Sequence, residues 1–106
     1  MADERYNPDH KSALDDILLG MPGVKGGKAF GYPAYKVNGK IFAFVHDGGA
    51  SIKLPEARVQ ELAGTQPEFS TSSWKAWLRM EPADPSLYEQ YEPLLVESMT
   101  YTATTA

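Results

Sequence analysis

The spacing of hydrophobic residues predicts a helix near the N-terminus, antiparallel strands in the middle of the chain and helices again after them. The first apolar stripe consists of Leu14, Ile17, Leu18 and Met21, which recur at the spacing of one helix face. Asn7 and Pro8 suit a helix start, because asparagine can cap free backbone amides and proline lacks only an amide that would be unpaired there. The pattern therefore predicts a helix from residue 7 to about residue 20.

An Asn-Gly pair at residues 38–39 predicts a tight hairpin, because both residue types tolerate the positive φ of a type I′ turn. A two-residue turn there would pair Val37 with Lys40 and Tyr35 with Phe42. We expect the core face of this ribbon to carry Tyr35, Val37, Phe42 and Phe44. Upstream, the glycine-rich residues 24–33 predict only a short extended stretch or a turn.

The next turn, at residues 47–49, is predicted as a three-residue loop, because that register sets Ile52 opposite Phe44 and Leu54 opposite Phe42. A short helix is then expected from residue 54 to the glycine at 64, followed by a polar loop over 64–73 and a last strand over 74–80. A closing helical region should begin at Asp84, with a break or kink at Pro93. The tail from residue 102 is expected to fray.

The assembled elements predict an α+β domain with an antiparallel sheet of about four to five strands and helices on one sheet face. Residues 1–106 form a single domain in this interpretation, with flexible tails at 1–6 and 102–106. There is no cysteine, which excludes disulfides and thiolate chemistry. No basic leader and no apolar run of membrane-spanning length is present, so we expect a cytoplasmic protein without membrane contact.

The net charge of −4 is distributed unevenly along the chain. Residues 25–58 contain six basic and two acidic residues, whereas the flanking segments are acidic. Strand alternation should place one set of side chains on the sheet face opposite the core: Lys36, Ile41, Ala43, Val45, Ser51 and Lys53, with Lys75, Trp77 and Arg79 from the last strand. The alternative register of that strand would expose Trp74, Ala76 and Leu78.

These basic side chains around an indole would suit a phosphate backbone with stacked bases. The candidate nucleic-acid contacts are Lys36, Lys40, Lys53, Lys75, Trp77 and Arg79, with Lys36 and Lys40 at a wing-like hairpin tip. The competing interpretation is that the lysines solubilise the sheet and protect its edges, while Trp77 belongs to the core.

Several segments resemble the MmcQ/YjbR family of small bacterial proteins. They are residues 21–24 (Met-Pro-Gly-Val), residues 28–44 with their Phe-Gly-Tyr-Pro and Asn-Gly-Lys motifs, residues 52–55 (Ile-Lys-Leu-Pro) and the tryptophan-bearing strand at 74–78. The likeness covers about residues 9–101 and is shared in part with the amino-terminal domain of the TfoX competence regulators. It implies a frataxin-like (CyaY-like) fold and a DNA-binding role with a double-wing arrangement.

Two partner classes remain open from the sequence: DNA, and a small aromatic or planar compound held near Tyr32, Tyr35 and Trp77. No cofactor or metal site is assigned, since the only adjacent acids on the first helix are Asp15 and Asp16 and there are two histidines. Ser51 could partner His46 in a proton shuttle, but we interpret the pair as surface polarity. No nucleophile, base and orienting group can be named together, so we expect a non-enzymatic protein that is a monomer or a weak dimer.

Overall fold

The protein is an α+β domain, described by a computed structural model over residues 6–29, 31–46, 48–71 and 75–104. Its elements are α1 (Pro8–Leu18), β1 (Val24–Ala29), β2 (Tyr32–Val37), β3 (Lys40–His46), β4 (Gly49–Lys53), α2 (Glu56–Leu62), β5 (Phe69–Thr71), β6 (Trp77–Met80), a 3₁₀ helix (Pro85–Tyr91) and α3 (Glu92–Thr104). The strands form one antiparallel sheet in the order β1-β2-β3-β4-β6-β5. The predicted fold class is confirmed, with six strands rather than four or five.

The helices pack on one face of this sheet and enclose the main core. Buried side chains of α1, α2, the 3₁₀ helix and α3 meet those of the strands there; they include Leu14, Leu18, Val59, Tyr88 and Leu95 against Tyr35, Phe42, Ile52, Leu78 and Met80. Tight layer packing of this kind is what an α+β domain needs to bury both its helix stripes and one sheet face. Among the described residues, no helix is long and apolar enough to cross a membrane.

The first helix forms where its apolar stripe and cap predict. Asn7 accepts a hydrogen bond from the Asp9 amide at 2.8 Å through its side-chain oxygen, and Pro8 occupies the first turn. Leu14 and Leu18 are buried in the core. The position of α1 is further set by His10, whose Nδ1 lies 2.7 Å from the hydroxyl of Tyr88 in the 3₁₀ helix.

The Asn-Gly hairpin between β2 and β3 is confirmed, with Val37 opposite Lys40 and φ of 53° at Asn38 and 76° at Gly39. The pairing beyond the turn differs from the prediction. A β-bulge shifts the register, so that Tyr35 lies opposite Ala43 and not Phe42.

The bulge changes which side chains of β3 face the core. Phe42 lies on the helix side as predicted, and Ala43 and Val45 lie there too, whereas Phe44 lies in a second cluster on the other face. The prediction of a core-facing Phe44 is therefore wrong, as is the prediction of Ala43 and Val45 on the opposite face. One extra residue in a strand exchanges the faces of every residue beyond it.

The connection between β3 and β4 is shorter than predicted. His46 lies opposite Gly49, which leaves a two-residue turn, and Ile52 consequently lies opposite Ala43 rather than Phe44. Leu54 is beyond the end of β4 and pairs with no residue of β3. The three-residue loop and the register derived from it are wrong, because hydrophobic matching took no account of the bulge.

Two strands were not predicted from sequence. The glycine-rich segment forms β1 at one edge of the sheet, and the polar loop contains β5 at the other. The short second helix is confirmed. The last strand, predicted over 74–80, is confirmed over 77–80 only, because residues 75–76 form a turn; Trp74 lies outside the described residues.

The closing region is helical and changes type close to Pro93, where the 3₁₀ helix gives way to α3. A proline in the first turn of α3 lacks only an amide that would be unpaired there. The tail differs from prediction, because α3 continues to Thr104 and Thr102 is 2% exposed.

Candidate nucleic-acid interface

The sheet face turned away from the helices carries its own small apolar cluster. Ala29, Ala34 and Phe44 are buried in it, and Tyr32, Ile41 and Trp77 pack against them partly exposed. All six are residues of strands or strand ends, and no helix among the described residues contributes a side chain. We call this side of the sheet the open face.

Aromatic rings at the centre of the open face are held in a fixed arrangement. Phe44 and Trp77 meet edge to face with ring centroids 5.2 Å apart, and Tyr32 stacks on Phe44 at 6.1 Å. Phe44 is only 6% exposed, whereas Trp77 and Tyr32 are half-buried. The indole of Trp77 is therefore held against Phe44 and remains partly accessible, and a stacking platform needs an accessible ring.

A transverse row of side chains crosses the open face beside these rings. Lys25 lies opposite Lys36, and Lys36 lies opposite Ile41. Across the sheet, Lys53 lies opposite Trp77. Residues that oppose each other in antiparallel strands share a face, and Ile41 and Trp77 both belong to the open-face cluster. We call Lys25, Lys36, Ile41, Lys53 and Trp77 the lysine row.

The position of the Lys36 side chain confirms that this row lies on the open face. A side-chain carbon placed on Gly27 would lie 3.4 Å from Lys36 Cε, and Gly27 pairs with Ala34 of the open-face cluster. A side-chain carbon placed on Gly26 would instead contact Leu19, which follows α1 and lies on the other face of the sheet. Lys36 therefore extends over the open face.

The lysines of the row are free of carboxylate partners, whereas the arginine nearby is not. Among the described residues, Lys25, Lys36 and Lys53 form no ion pair. Arg79 donates to Glu81 at 2.7 Å, and its Nε is buried without a hydrogen-bond partner. Three unpaired ammonium groups on one face leave a cationic surface that an anion can reach.

Charge is segregated between the two layers of the molecule. The six strands contain six basic residues and no acidic one. The α-helices and the 3₁₀ helix contain eight acidic and two basic residues. The charge asymmetry along the sequence thus becomes a spatial one, since the acids responsible for the negative total lie mainly in the helical layer.

The structure brings together some of the predicted site residues and separates others. Lys36, Lys53, Trp77 and Arg79 lie on the open face, which agrees with the register predicted for the last strand. Lys40 is exposed at the hairpin tip but lies opposite the core residue Val37, on the helix side. Lys75 is exposed two residues before β6.

The two predicted ligand-binding tyrosines lie on different faces. Tyr32 belongs to the open-face cluster, whereas Tyr35 is 2% exposed in the main core. The Tyr35 hydroxyl donates to Asp15 of α1 at 2.6 Å, and burial together with this hydrogen bond raises the Tyr35 pKa far above its usual value. Tyr35 therefore anchors α1 to the sheet and cannot share a surface ligand with Tyr32.

Sequence reasoning missed two residues of this surface. Lys25 was not assigned to the site because β1 was not recognised as a strand, and a glycine-rich run gives little strand signal. Phe44 was assigned to the core because simple alternation contains no bulge. The basic composition of residues 25–58 was the signal that pointed to this part of the chain.

His46 and Ser51 do form a pair, but they are not surface groups as interpreted from sequence. His46 Nε2 lies 2.9 Å from Ser51 Oγ, and the two residues are 8% and 3% exposed. A serine nucleophile must reach a substrate carbonyl, and Ser51 is enclosed. We read the pair as a cross-strand hydrogen bond that satisfies two buried polar groups. No group of residues that could hold a metal ion occurs in the described part of the chain.

Comparison of the chain with models of known protein families, with curated proteins and with solved structures finds no match. The resemblance to the MmcQ/YjbR family accordingly remains a prediction from sequence motifs.

Proposed function

We propose that this protein binds DNA, as the MmcQ/YjbR resemblance implies, and that single-stranded DNA lies across the open face. The observation that carries the proposal is the lysine row, in which three unpaired lysines cross the sheet towards a partly exposed tryptophan. Ammonium groups contact backbone phosphates, and the indole offers a ring on which a base can stack.

A single strand suits this surface better than a duplex. Reading a duplex groove requires a helix or a two-stranded ribbon that projects from the protein. The β2–β3 hairpin is the predicted wing, but Asn38 at its tip donates to the Ala103 carbonyl of α3 at 3.3 Å. The hairpin is thereby tied to the helical layer, while the open face offers a broad surface for unpaired bases.

Fluorescence anisotropy with a labelled oligothymidylate and its duplex form tests the proposal. Three phosphate contacts predict a log–log slope of affinity against salt near −2, so affinity should fall roughly 20-fold between 50 and 200 mM salt. Trp77→Leu should weaken binding by about 1 to 3 kcal/mol, and Trp77→Phe should restore part of it. Absence of binding at 50 mM salt would overturn the proposal.

A small planar compound held by Tyr32 and Trp77 is the second candidate, favoured by the partial exposure of both rings beside Phe44. Salt distinguishes the two candidates. Affinity for an uncharged planar ligand would change little between 50 and 200 mM salt, because no counterions are released. Binding of a neutral planar dye that is lost in Trp77→Leu, with no binding of the oligonucleotide, would favour the second candidate.

A further inference from the structure

At the end of the sheet where β1 begins and β2 ends, the surface forms a hollow of about 400 Å³. Its lining consists of Gly23, Lys25, Lys36, Asn38 and Gly39. Two of these residues carry a positive charge and none carries a negative one. The hollow therefore has a basic lining and room for more than a single small ion. The Lys36 ammonium itself lies towards Gly27, 3.7 Å from a side-chain carbon placed there, so the Lys36 side chain must rotate back along the strand to contact an anion in the hollow.

The two lysines of the hollow repel each other. Lys25 and Lys36 are register partners in β1 and β2, so their β-carbons lie about 5 Å apart on the same face. Like charges directly opposite in a sheet are destabilising. In the described part of the chain, neither lysine has a carboxylate partner to relieve that repulsion. An anion bound between the two ammonium groups would do so.

The remaining walls of the hollow are mostly backbone. Gly23 and Gly39 have φ of 81° and 76°, and a side-chain carbon added to either would meet no atom within 4 Å. The absence of side chains lets a ligand approach the backbone closely. Asn38, the third wall, is held by its hydrogen bond to Ala103. The hollow is thus open at the two glycines, and its Asn38 wall is held in place by α3.

We propose that this hollow is a phosphate-binding site in which Lys25 and Lys36 contact the same phosphate group. Phosphate fits because its several anionic oxygens can accept from two ammonium groups at once, and lysine binds it as a point charge. A further statement rests on the proposed function: in the DNA complex the site holds a backbone phosphate. Lys36 is three strands from Trp77, or about 14 Å across the sheet, so this phosphate belongs to a nucleotide beyond the base stacked on the indole.

Titration of the ¹⁵N-labelled protein with inorganic pyrophosphate, at constant ionic strength, tests the site without DNA. Saturable shifts are expected for the amides of Gly23, Lys25 and Gly39. Lys25→Gln and Lys36→Gln should each raise the dissociation constant about tenfold or more, because each removes one charged hydrogen bond. The rest of the amide spectrum reports whether each variant folds.

Lys28→Gln is the matched control, since Lys28 is an exposed lysine of the same strand that lies on the Gly26 side, away from the hollow. Pyrophosphate affinity that falls equally in Lys28→Gln and Lys25→Gln, or shifts that never saturate, would overturn the site. Pyrophosphate binding without oligothymidylate binding would keep the site and remove the DNA function. If Lys25→Gln binds oligothymidylate as tightly as Lys28→Gln does, the proposed DNA function stands, but the backbone phosphate does not lie in this hollow.

Discussion

At Gly49 the sheet leaves no room for a side chain. A side-chain carbon there would overlap the Met80 carbonyl oxygen and lie 2.9 Å from the Glu81 α-carbon, both of them backbone atoms of or next to β6. Neither can move without displacing the strand that carries Trp77 and Arg79. The close approach of β4 and β6 at this point therefore requires glycine.

Gly49→Ala should lower the free energy of unfolding by about 1 to 3 kcal/mol or more, as insertion into a packed site does. Urea denaturation followed by circular dichroism measures the change. Gly26→Ala is the matched control, because its new methyl group would meet Leu19 Cδ2 at an ordinary contact distance of 3.7 Å. Equal loss of stability in both variants would contradict the steric explanation.

Residue-level prediction from sequence succeeded where a local rule decides the outcome and failed where a single insertion alters the register. Asn38 and Gly39 adopt the positive φ that their residue types favour, whatever packs around them. Phe44 lies on the face opposite to the predicted one, because the bulge near Tyr35 arises from pairing between strands. No single-strand pattern contains that information.

At the scale of elements, α1 and the 3₁₀ helix are joined by a buried histidine. His10 is 4% exposed, lies 2.7 Å from the Tyr88 hydroxyl and meets the Tyr88 ring edge to face. Burial lowers the His10 pKa; nearby Asp9 acts in the opposite direction and His46 adds to the lowering. The folded state therefore favours the neutral imidazole.

Stability should consequently fall on the acid side of neutrality. Above about pH 6.5 His10 is neutral in both states and has no effect on unfolding. As the pH falls through that value, the unfolded chain takes up the proton first, so the free energy of unfolding decreases until the folded pKa is passed. Urea denaturation at pH 7.5 and 5.5 should show a larger loss in the wild type than in His10→Gln. Equal losses would mean that His10 does not titrate differently in the two states.

The elements that sequence patterns missed are the two edges of the sheet. Strand β1 has exposed residues at its four central positions, and β5 is three residues long within a polar loop. Neither shows the apolar alternation by which strands are recognised. Helix α1, by contrast, has a capping residue and a full buried stripe, and it was predicted nearly to its ends.

At the scale of the whole molecule, the distribution of charge matters more than its total. The net charge of −4 disfavours contact with DNA, yet the strands carry only basic charged residues and the helices carry most of the acids. The shortest dimension of the molecule is 25 Å, whereas exposed charges are largely screened beyond about 10 Å at 0.1 M salt. Acids on the outer side of the helical layer therefore contribute little to the potential at the open face.

Two variants with the same net charge separate the effect of the lysine row from the effect of total charge. Lys53→Gln and Lys28→Gln each remove one lysine of β4 or β1, but Lys53 lies opposite Trp77 in the lysine row and Lys28 lies on the helix side. If the row contacts phosphates, Lys53→Gln should reduce the salt slope of oligothymidylate binding by about 0.7, the value for one contact with a single strand. Lys28→Gln should leave the slope unchanged. Anisotropy titrations between 25 and 200 mM salt measure both slopes. Equal reductions would show that total charge controls binding, and an unchanged slope in Lys53→Gln would show that the row does not touch the backbone.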